Sequence, residues 1–330
     1  MRILVIGAAG MIGRKLVARL AADGAIAGRP IEAARLVDLS PPSPPERSSF
    51  ATTCEAVDLA SAAVAARLIA ERPDVVFHLA AVVSGEAESD FEKGYAVNLD
   101  ATRGLFEAIR RERGRSADAY FPRLIFASSI AVFGAPFPEA IDDEFILAPL
   151  TSYGAQKAMV ELLIGDYARR GIFDGVALRL PTVVVRPGSA NRAASGFFSS
   201  IIREPLSGRE AILPAPETTR LWCASPRAAV ASFVHAAALD LGRLGPRRSL
   251  TMPGVSATVA EQIEALRRVG GEAAIRLIRR QPDEATARIV AGWPGRFEAR
   301  RAEALGFVAE SSFDEIIRIY LEDDHVAAVA

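Results

Sequence analysis

Tyr153 and Lys157 stand four residues apart in SYGAQKAMVELL, a segment whose apolar positions follow helical periodicity. Residues four apart share one face of a helix, so the phenol and the ammonium project side by side. A tyrosine phenol with a reference pKa of about 10 is a poor base at neutral pH. A cation held one turn away favours the phenolate and draws that value toward the working range. Tyr153 is therefore read as an acid/base for the proton of an alcohol, with Lys157 as its helper. Taken alone, the pair fits equally well as two side chains on a solvated helix face, since such spacing is common.

The neighbouring segments favour the chemical reading. FASSIAVFG at 126–134 closes an apolar run of strand length and sets Ser129 at its C-terminal end, where open α/β sheets bind ligands. Ser129 can donate to, or accept from, the reacting oxygen; Ser128 serves backbone or cofactor instead, and either can be a turn former. Near the start, Gly7, Gly10 and Gly13 form G-x-x-G-x-x-G between one apolar run and a helix opening at Met11 and Ile12. Glycines there permit a tight turn, a close backbone approach to a pyrophosphate and close helix packing. Asp38, at the end of the second apolar run, is placed to accept hydrogen bonds from an adenosine ribose, or is a loop-initiating aspartate. In the first role its charge repels a 2′-phosphate, so NAD is expected over NADP. Asp58 and Leu59 are placed at the adenine edge. In His78-Leu79-Ala80-Ala81 the three residues after the histidine offer little bulk beside a ribose. His78 itself is read as packed or backbone-bonded.

Strand-length apolar runs at 3–7, 36–39, 75–79, 124–128 and 176–180 alternate with amphipathic segments such as 11–22 and 62–71. That alternation predicts a doubly wound α/β parallel sheet, a Rossmann fold, with a smaller C-terminal α/β lobe. The expected division is 1–185 for the dinucleotide domain, with 219–243 returning to it, and 186–218 with 244–330 for the substrate lobe. PPSPPE at 41–46 is read as a surface loop, and the capping pairs Thr258/Glu261 and Ser312/Glu315 predict helices over 259–268 and 313–322. The 39 basic and 40 acidic residues leave a net charge of −1 without long runs of one sign, which argues against nucleic-acid or anionic-membrane partners. Cys54 and Cys223 have neither metal-ligand nor disulfide-framework spacing, so no metal and a reducing cytoplasm are expected. MRILVIG reads as a first strand rather than a signal sequence, and no apolar stretch is long enough to span a membrane.

Taken in order, G-x-x-G-x-x-G at 7–13, Asp38, HLAA at 78–81, Asn98, SSIAVFG at 128–134 and YGAQK at 153–157 resemble the extended short-chain dehydrogenase/reductase superfamily, the NAD-dependent epimerase/dehydratases. The resemblance implies that Ser129, Tyr153 and Lys157 form the catalytic set and that Lys157 also holds the nicotinamide ribose. It adds Asn98 and Pro181 to the cofactor set. It further implies a homodimer packed through the Tyr153 helix and the helix near 96–111; on the former, Met159, Val160, Leu162 and Leu163 form an apolar surface that serves as core or as subunit interface. Phe133 stands where the family often has a tyrosine.

The second half departs from the nucleotide-sugar members. Where those carry an Asn-Val-Tyr-Gly-Pro-like run, this chain has Leu178 to Pro187 with Thr182 in the asparagine's place; their Arg-Asp-aromatic-Ile-His-Val signature appears as Arg220-Leu221-Trp222-Cys223-Ala224-Ser225. A small substrate is expected instead, with Ser129, Tyr153 and Thr182 around it and Arg186, Arg192 or Arg220 receiving a carboxylate, or serving as surface charges. RPGSANR at 186–192, TMPGVSATV at 251–259 and GFVAESSFDEIIR at 306–318 resemble the branch of the superfamily that contains D-erythronate dehydrogenase. That resemblance implies NAD-linked oxidation of D-erythronate at its C2 hydroxyl to the 2-keto acid. The alternative is a nucleotide-sugar epimerase or dehydratase with tightly bound NAD.

Overall fold

The computed structural model describes residues 1–188 and 195–325, which fall into two compact units. The first comprises Met1–Val132, Thr151–Arg179 and Val230–Leu250. It is built on a seven-stranded sheet: β1 (Arg2–Ile6), β2 (Ala33–Asp38), β3 (Ala51–Ala56), β4 (Val75–His78), β5 (Arg123–Ser129), β6 (Asp174–Leu180) and β7 (Ser249–Thr251), in the spatial order β3-β2-β1-β4-β5-β6-β7. β1 pairs in parallel with both β2 and β4, and β4 in parallel with β5. This is the expected doubly wound α/β sheet.

Register matters most for function. Ile6 lies opposite His78 and Val37, and His78 opposite Phe126. The C-terminal ends of β1, β2, β4 and β5 therefore line one edge of the sheet, which carries Gly7, Asp38, Leu79 and Ser129. The chain direction reverses its progress across the sheet between β1 and β4, the crevice where such sheets bind ligands.

The central strands β1, β4 and β5 are largely buried because helices cover them, whereas the edge strand β3, ATTCEA, is mostly exposed. α1 (Met11–Asp23) buries Leu16, Val17 and Leu20, and α2 (Ala62–Ala70) buries Leu68 and Ile69. α3 (Ala101–Arg115) buries Leu105, Phe106 and Ile109, while α4 (Ser152–Arg169) buries Val160 and Ile164. The residues of α2, α3 and α4 meet Leu4, Ile6, Val76, Leu124 and Phe126 of the sheet in one core. α4 starts at Thr151, whose hydroxyl accepts from the Gly154 amide at 3.1 Å, an N-cap that fixes the phase of the helix carrying Tyr153.

The second unit comprises Phe133–Leu150, Leu180–Ala229 and the chain from Thr251 onward. Its strand Arg220–Ala224 pairs in parallel with Thr182–Val183 and antiparallel with Val255–Thr258. Helices Gly196–Leu206, Val259–Ile275 and Phe313–Asp323 share a core that includes Phe198, Ile202, Ile263, Leu266 and Ile317. The Thr258/Glu261 capping box forms in full, and Ser312 accepts from the Glu315 amide at 3.3 Å. The first of these two helices outruns the expected end at 268, with Gly271 at φ +78° interrupting it.

The unit boundaries differ from those expected. Residues 219–229 stay with the second unit because Arg220–Ala224 finds its strand partners there. Segment 133–150 joins them because Ile141 bridges Phe297 and the Phe133 ring lies 5.6 Å from that of Phe297. No helix among the described residues is long and apolar enough to cross a membrane.

Candidate functional site

The three glycines divide their labour. Gly7 has φ +89°, and a Cβ there would lie 2.5 Å from the Ala80 nitrogen, so only glycine allows β1 to turn against the end of β4. A Cβ on Gly13 would fall 2.1 Å from the Gly7 carbonyl oxygen, so Gly13 seats α1 on that turn. At Gly10 the nearest atom to an added Cβ is 3.4 Å away, and the residue is exposed. Gly10 is also the N-cap of α1, with no side-chain cap and no acid in the first turn. The opening amides of α1, at Met11 and Ile12, thus present partial positive charge with no carboxylate of the helix's own first turn to offset it, the arrangement that suits a phosphate.

Asp38 closes this end. One carboxylate oxygen accepts from the Ala9 amide at 2.9 Å and the other from the Leu39 amide at 2.7 Å, so the side chain ties β2 to the glycine turn. Each oxygen retains a further lone pair. Asp58 is exposed and accepts from the Ala60 amide, while Leu59 packs at the edge of the core. The amides of Leu79 and Ala80 both donate to Ile6, which holds the half-buried 79–81 stretch beside the turn. Asn98 acts on the protein: buried in the π-helical turn Ala96–Asp100, it accepts from the Val82 amide and donates to the Val82 carbonyl and to Gln156. Both of its N–H donors are thereby used.

His78 is buried, 2.9 Å from the Thr102 hydroxyl and edge-on to Phe126. Burial, with a smaller contribution from the Lys157 charge, depresses its pKa to about 3. In the unfolded chain a histidine titrates near 6.5. Between these values the unfolded state binds the extra proton, so stability is complete above the upper value and falls as pH drops through the window. The parent is expected to lose melting temperature with acidification already above the carboxylate range. His78→Gln, which keeps a partner for Thr102, is expected to be flatter there; parallel slopes would contradict this.

At the next strand end, β5 delivers Ser129 to the sheet edge half-buried, its hydroxyl accepting from the Ala131 amide at 3.1 Å. Adjacent residues of a strand face opposite ways. Ser128 accordingly turns inward, donating to Glu161 at 2.5 Å. On α4, Tyr153 is half-buried and Lys157 is fully buried. Lys157 Nζ donates to the Ala127 carbonyl at 2.8 Å and lies 4.5 Å from the Phe126 ring and 5.5 Å from that of Tyr153. Burial draws its pKa down to about 7, against an opposing pull from the Glu161 charge. One of the three ammonium donors serves Ala127; an ammonium in this position suits the hydroxyls of a ribose. An exposed Gly10, an uncapped helix start and a buried cation at the same sheet edge together fit a dinucleotide.

The remaining predicted residues belong to the second unit. Pro181 is buried, and half-buried Thr182 pairs with Cys223. The Arg186 amide donates to Ser199, its carbonyl accepts from the buried Arg203 at 2.7 Å, and its side chain donates to the Val183 carbonyl and to Ser195. Arg220 contacts Ser256 and Glu261 at 3.3 and 3.4 Å, beside a cavity of about 400 Å³ that Glu139, Trp293 and Arg296 also line. Arg192 lies outside the described residues. Both cysteines are free, Cys54 exposed and Cys223 buried, and no three potential metal ligands gather among the described residues.

Sequence reasoning missed Glu161, Arg179 and Gln156. A signal existed for two of them: Arg179 interrupts an otherwise apolar strand, and Glu161 continues the spacing of Tyr153 and Lys157.

The model of the NAD dependent epimerase/dehydratase family matches residues 3–234. The chain belongs to this family. As a family member it is an NAD-dependent enzyme of the short-chain oxidoreductase type, as the motif order implied. Among curated relatives, D-erythronate dehydrogenase from Cupriavidus necator is 46% identical over 329 residues, 99% of this chain and 100% of that one. D-erythronate dehydrogenase from Haemophilus influenzae is 40% identical over 324 residues, 98% of this chain and 100% of the relative. Among solved structures, one described as the nucleoside-diphosphate-sugar epimerase from Agrobacterium tumefaciens has a TM-score of 0.96 at 58% identity, covering 98% of this chain and 94% of that one.

Proposed function

We propose that this family member oxidises the C2 hydroxyl of a small sugar acid, D-erythronate foremost, to the 2-keto acid. The observation that carries the reading is the end-to-end similarity, 46% and 40% identical, to two D-erythronate dehydrogenases, joined to the Tyr153, Lys157 and Ser129 set on one sheet edge. NAD, when bound, supplies the hydride acceptor. Tyr153 takes the hydroxyl proton. Lys157 holds positive charge beside the phenol and offers donors to a ribose; Ser129 holds the reacting oxygen. Asp38 disfavours a 2′-phosphate, so NAD is preferred over NADP.

For the carboxylate we propose Arg186, because Ser199 and Arg203 clamp its backbone on both sides, whereas Arg220 already faces the Glu261 carboxylate. A homodimer through α3 and α4 is supported by Leu162, 69% exposed on α4. Free cysteines suit a reducing cytoplasm.

The epimerase described for the Agrobacterium structure favours a second reading, in which hydride is removed and returned to a nucleotide sugar. Thr182, Leu221 and Ala224, standing where that class carries its asparagine, its acid and its histidine, count against it. A panel of four- to six-carbon aldonates, each with NAD and with NADP, decides the matter. Reduced cofactor is expected with D-erythronate and NAD, with a raised KM in Arg186→Ala. Silence across the panel, with turnover of a nucleotide sugar, would favour the second reading.

A further inference from the structure

Glu161 lies one turn beyond Lys157 on the same face of α4, with its side chain only 2% exposed. A carboxylate withdrawn this far from water needs its oxygens engaged. Arg179 Nε, from β6, reaches both oxygens at 3.0 Å and Nη2 reaches Oε2 at 2.7 Å, while Ser128 donates to Oε1 at 2.5 Å. Arg179 Nη2 also donates to Ser249 of β7 at 2.9 Å. One buried cluster therefore joins the end of β5, the catalytic helix, β6 and β7. Ser128 is the peptide neighbour of Ser129, and Glu161 is the helical neighbour of Lys157.

Stability alone is a poor reason for such a cluster, because a buried ion pair can often be replaced by apolar side chains without loss. Its position gives a better one. We propose that Glu161, with Arg179 and Ser128, is a positioning residue for the acid/base pair. It locks the strand end that carries Ser129 to the helix that carries Tyr153 and Lys157, and it sets the charge balance behind the lysine. The inference rests on the reading of Tyr153 and Lys157 given above.

Three elements of the first unit present groups to Lys157. β5 presents the Ala127 carbonyl and the Phe126 ring, α4 presents Tyr153 and Glu161, and β4 presents His78, whose pKa the lysine charge lowers. Arg179 stands behind Glu161 as the compensating cation. Removing either member of the pair therefore changes the field at Lys157 with opposite sign.

The chain has three lysines, Lys15, Lys93 and Lys157, so isotope-labelled lysine gives three nuclear magnetic resonance signals, with that of Lys157 assigned by Lys157→Arg. In Glu161→Gln the lysine loses its anion and faces an uncompensated Arg179, so its titration moves to lower pH. In Arg179→Met it faces an uncompensated Glu161, and the titration moves to higher pH. A pair that only stabilises the fold would lower the melting temperature in both variants and leave the lysine titration where it was, which would overturn the proposal.

Should either single variant unfold, the double variant Glu161→Leu with Arg179→Met leaves no unpaired buried charge. It is expected to fold and bind NAD while kcat on D-erythronate falls by about tenfold to a hundredfold, the usual cost of a loosened reacting geometry. Parent-like kcat in the double variant would equally overturn the positioning role. These outcomes are separable from failure of the underlying reading, which a fully active Tyr153→Phe would reveal.

Discussion

Tyr153→Phe is expected to bind NAD like the parent and to lose about two to four orders of magnitude in kcat, the range that a positioned acid/base contributes. The substitution removes one oxygen and leaves the ring. Lys157 keeps its hydrogen bond to the Ala127 carbonyl and its place over the Phe126 ring, since neither involves the phenol. The Thr151 cap and the buried Val160 and Ile164 face of α4 are likewise untouched. Cofactor affinity by calorimetric titration, set beside steady-state turnover, separates the two roles. Retained turnover with retained binding would exclude Tyr153 as the base.

Gly13→Ala should be among the most damaging single methyl additions in the first unit. Its Cβ would sit 2.1 Å from the Gly7 carbonyl oxygen and 2.8 Å from the Ala8 Cα, both backbone atoms that cannot swing aside. α1 must then lift from the turn, which disturbs the packing of Leu16, Val17 and Leu20 and moves the helix start away from the place proposed for the phosphates. Overpacking of this kind costs about 1–3 kcal/mol. A lower melting temperature and a loss of NAD affinity of about a hundredfold or more are expected. Gly10→Ala provides the contrast, because its Cβ meets nothing closer than 3.4 Å. That variant should melt like the parent yet bind NAD more weakly. Normal binding by Gly10→Ala would show that the phosphates do not lie against Gly10.

Much of this site could be read from sequence because its determinants are local. The glycine spacing, the strand end at Ser129 and the one-turn spacing of Tyr153 and Lys157 each depend on a few consecutive residues and on hydrophobic period. Those signals place residues on elements, and parallel register then aligns the strand ends. What the sequence could not supply is which neighbour each polar group chooses across elements. Ser128 and Ser129 look alike as a dipeptide, yet strand alternation sends one inward to Glu161 and the other to the sheet edge. Asn98 reads as a cofactor ligand in a motif, whereas its donors go to Val82 and Gln156.

The second unit was less legible for a physical reason. Its strands are short, with Thr182–Val183 only 2 residues long, so no period can establish itself. Its boundaries depend on pairings between segments far apart in the chain, such as Ile141 with Phe297. The clamp on Arg186 comes from Ser199 and the buried Arg203 of the helix Gly196–Leu206, and no sequence spacing announces it.

Transfer of deuterium from D-erythronate labelled at C2 tests the central claim most directly. Incubation with NAD and a trap for the keto acid, followed by mass spectrometry of the cofactor, should find the label in reduced NAD in proportion to product formed. The same incubation with Tyr153→Phe should leave the cofactor unlabelled. An unlabelled, oxidised cofactor from the parent protein, with the deuterated acid recovered intact, would contradict the account.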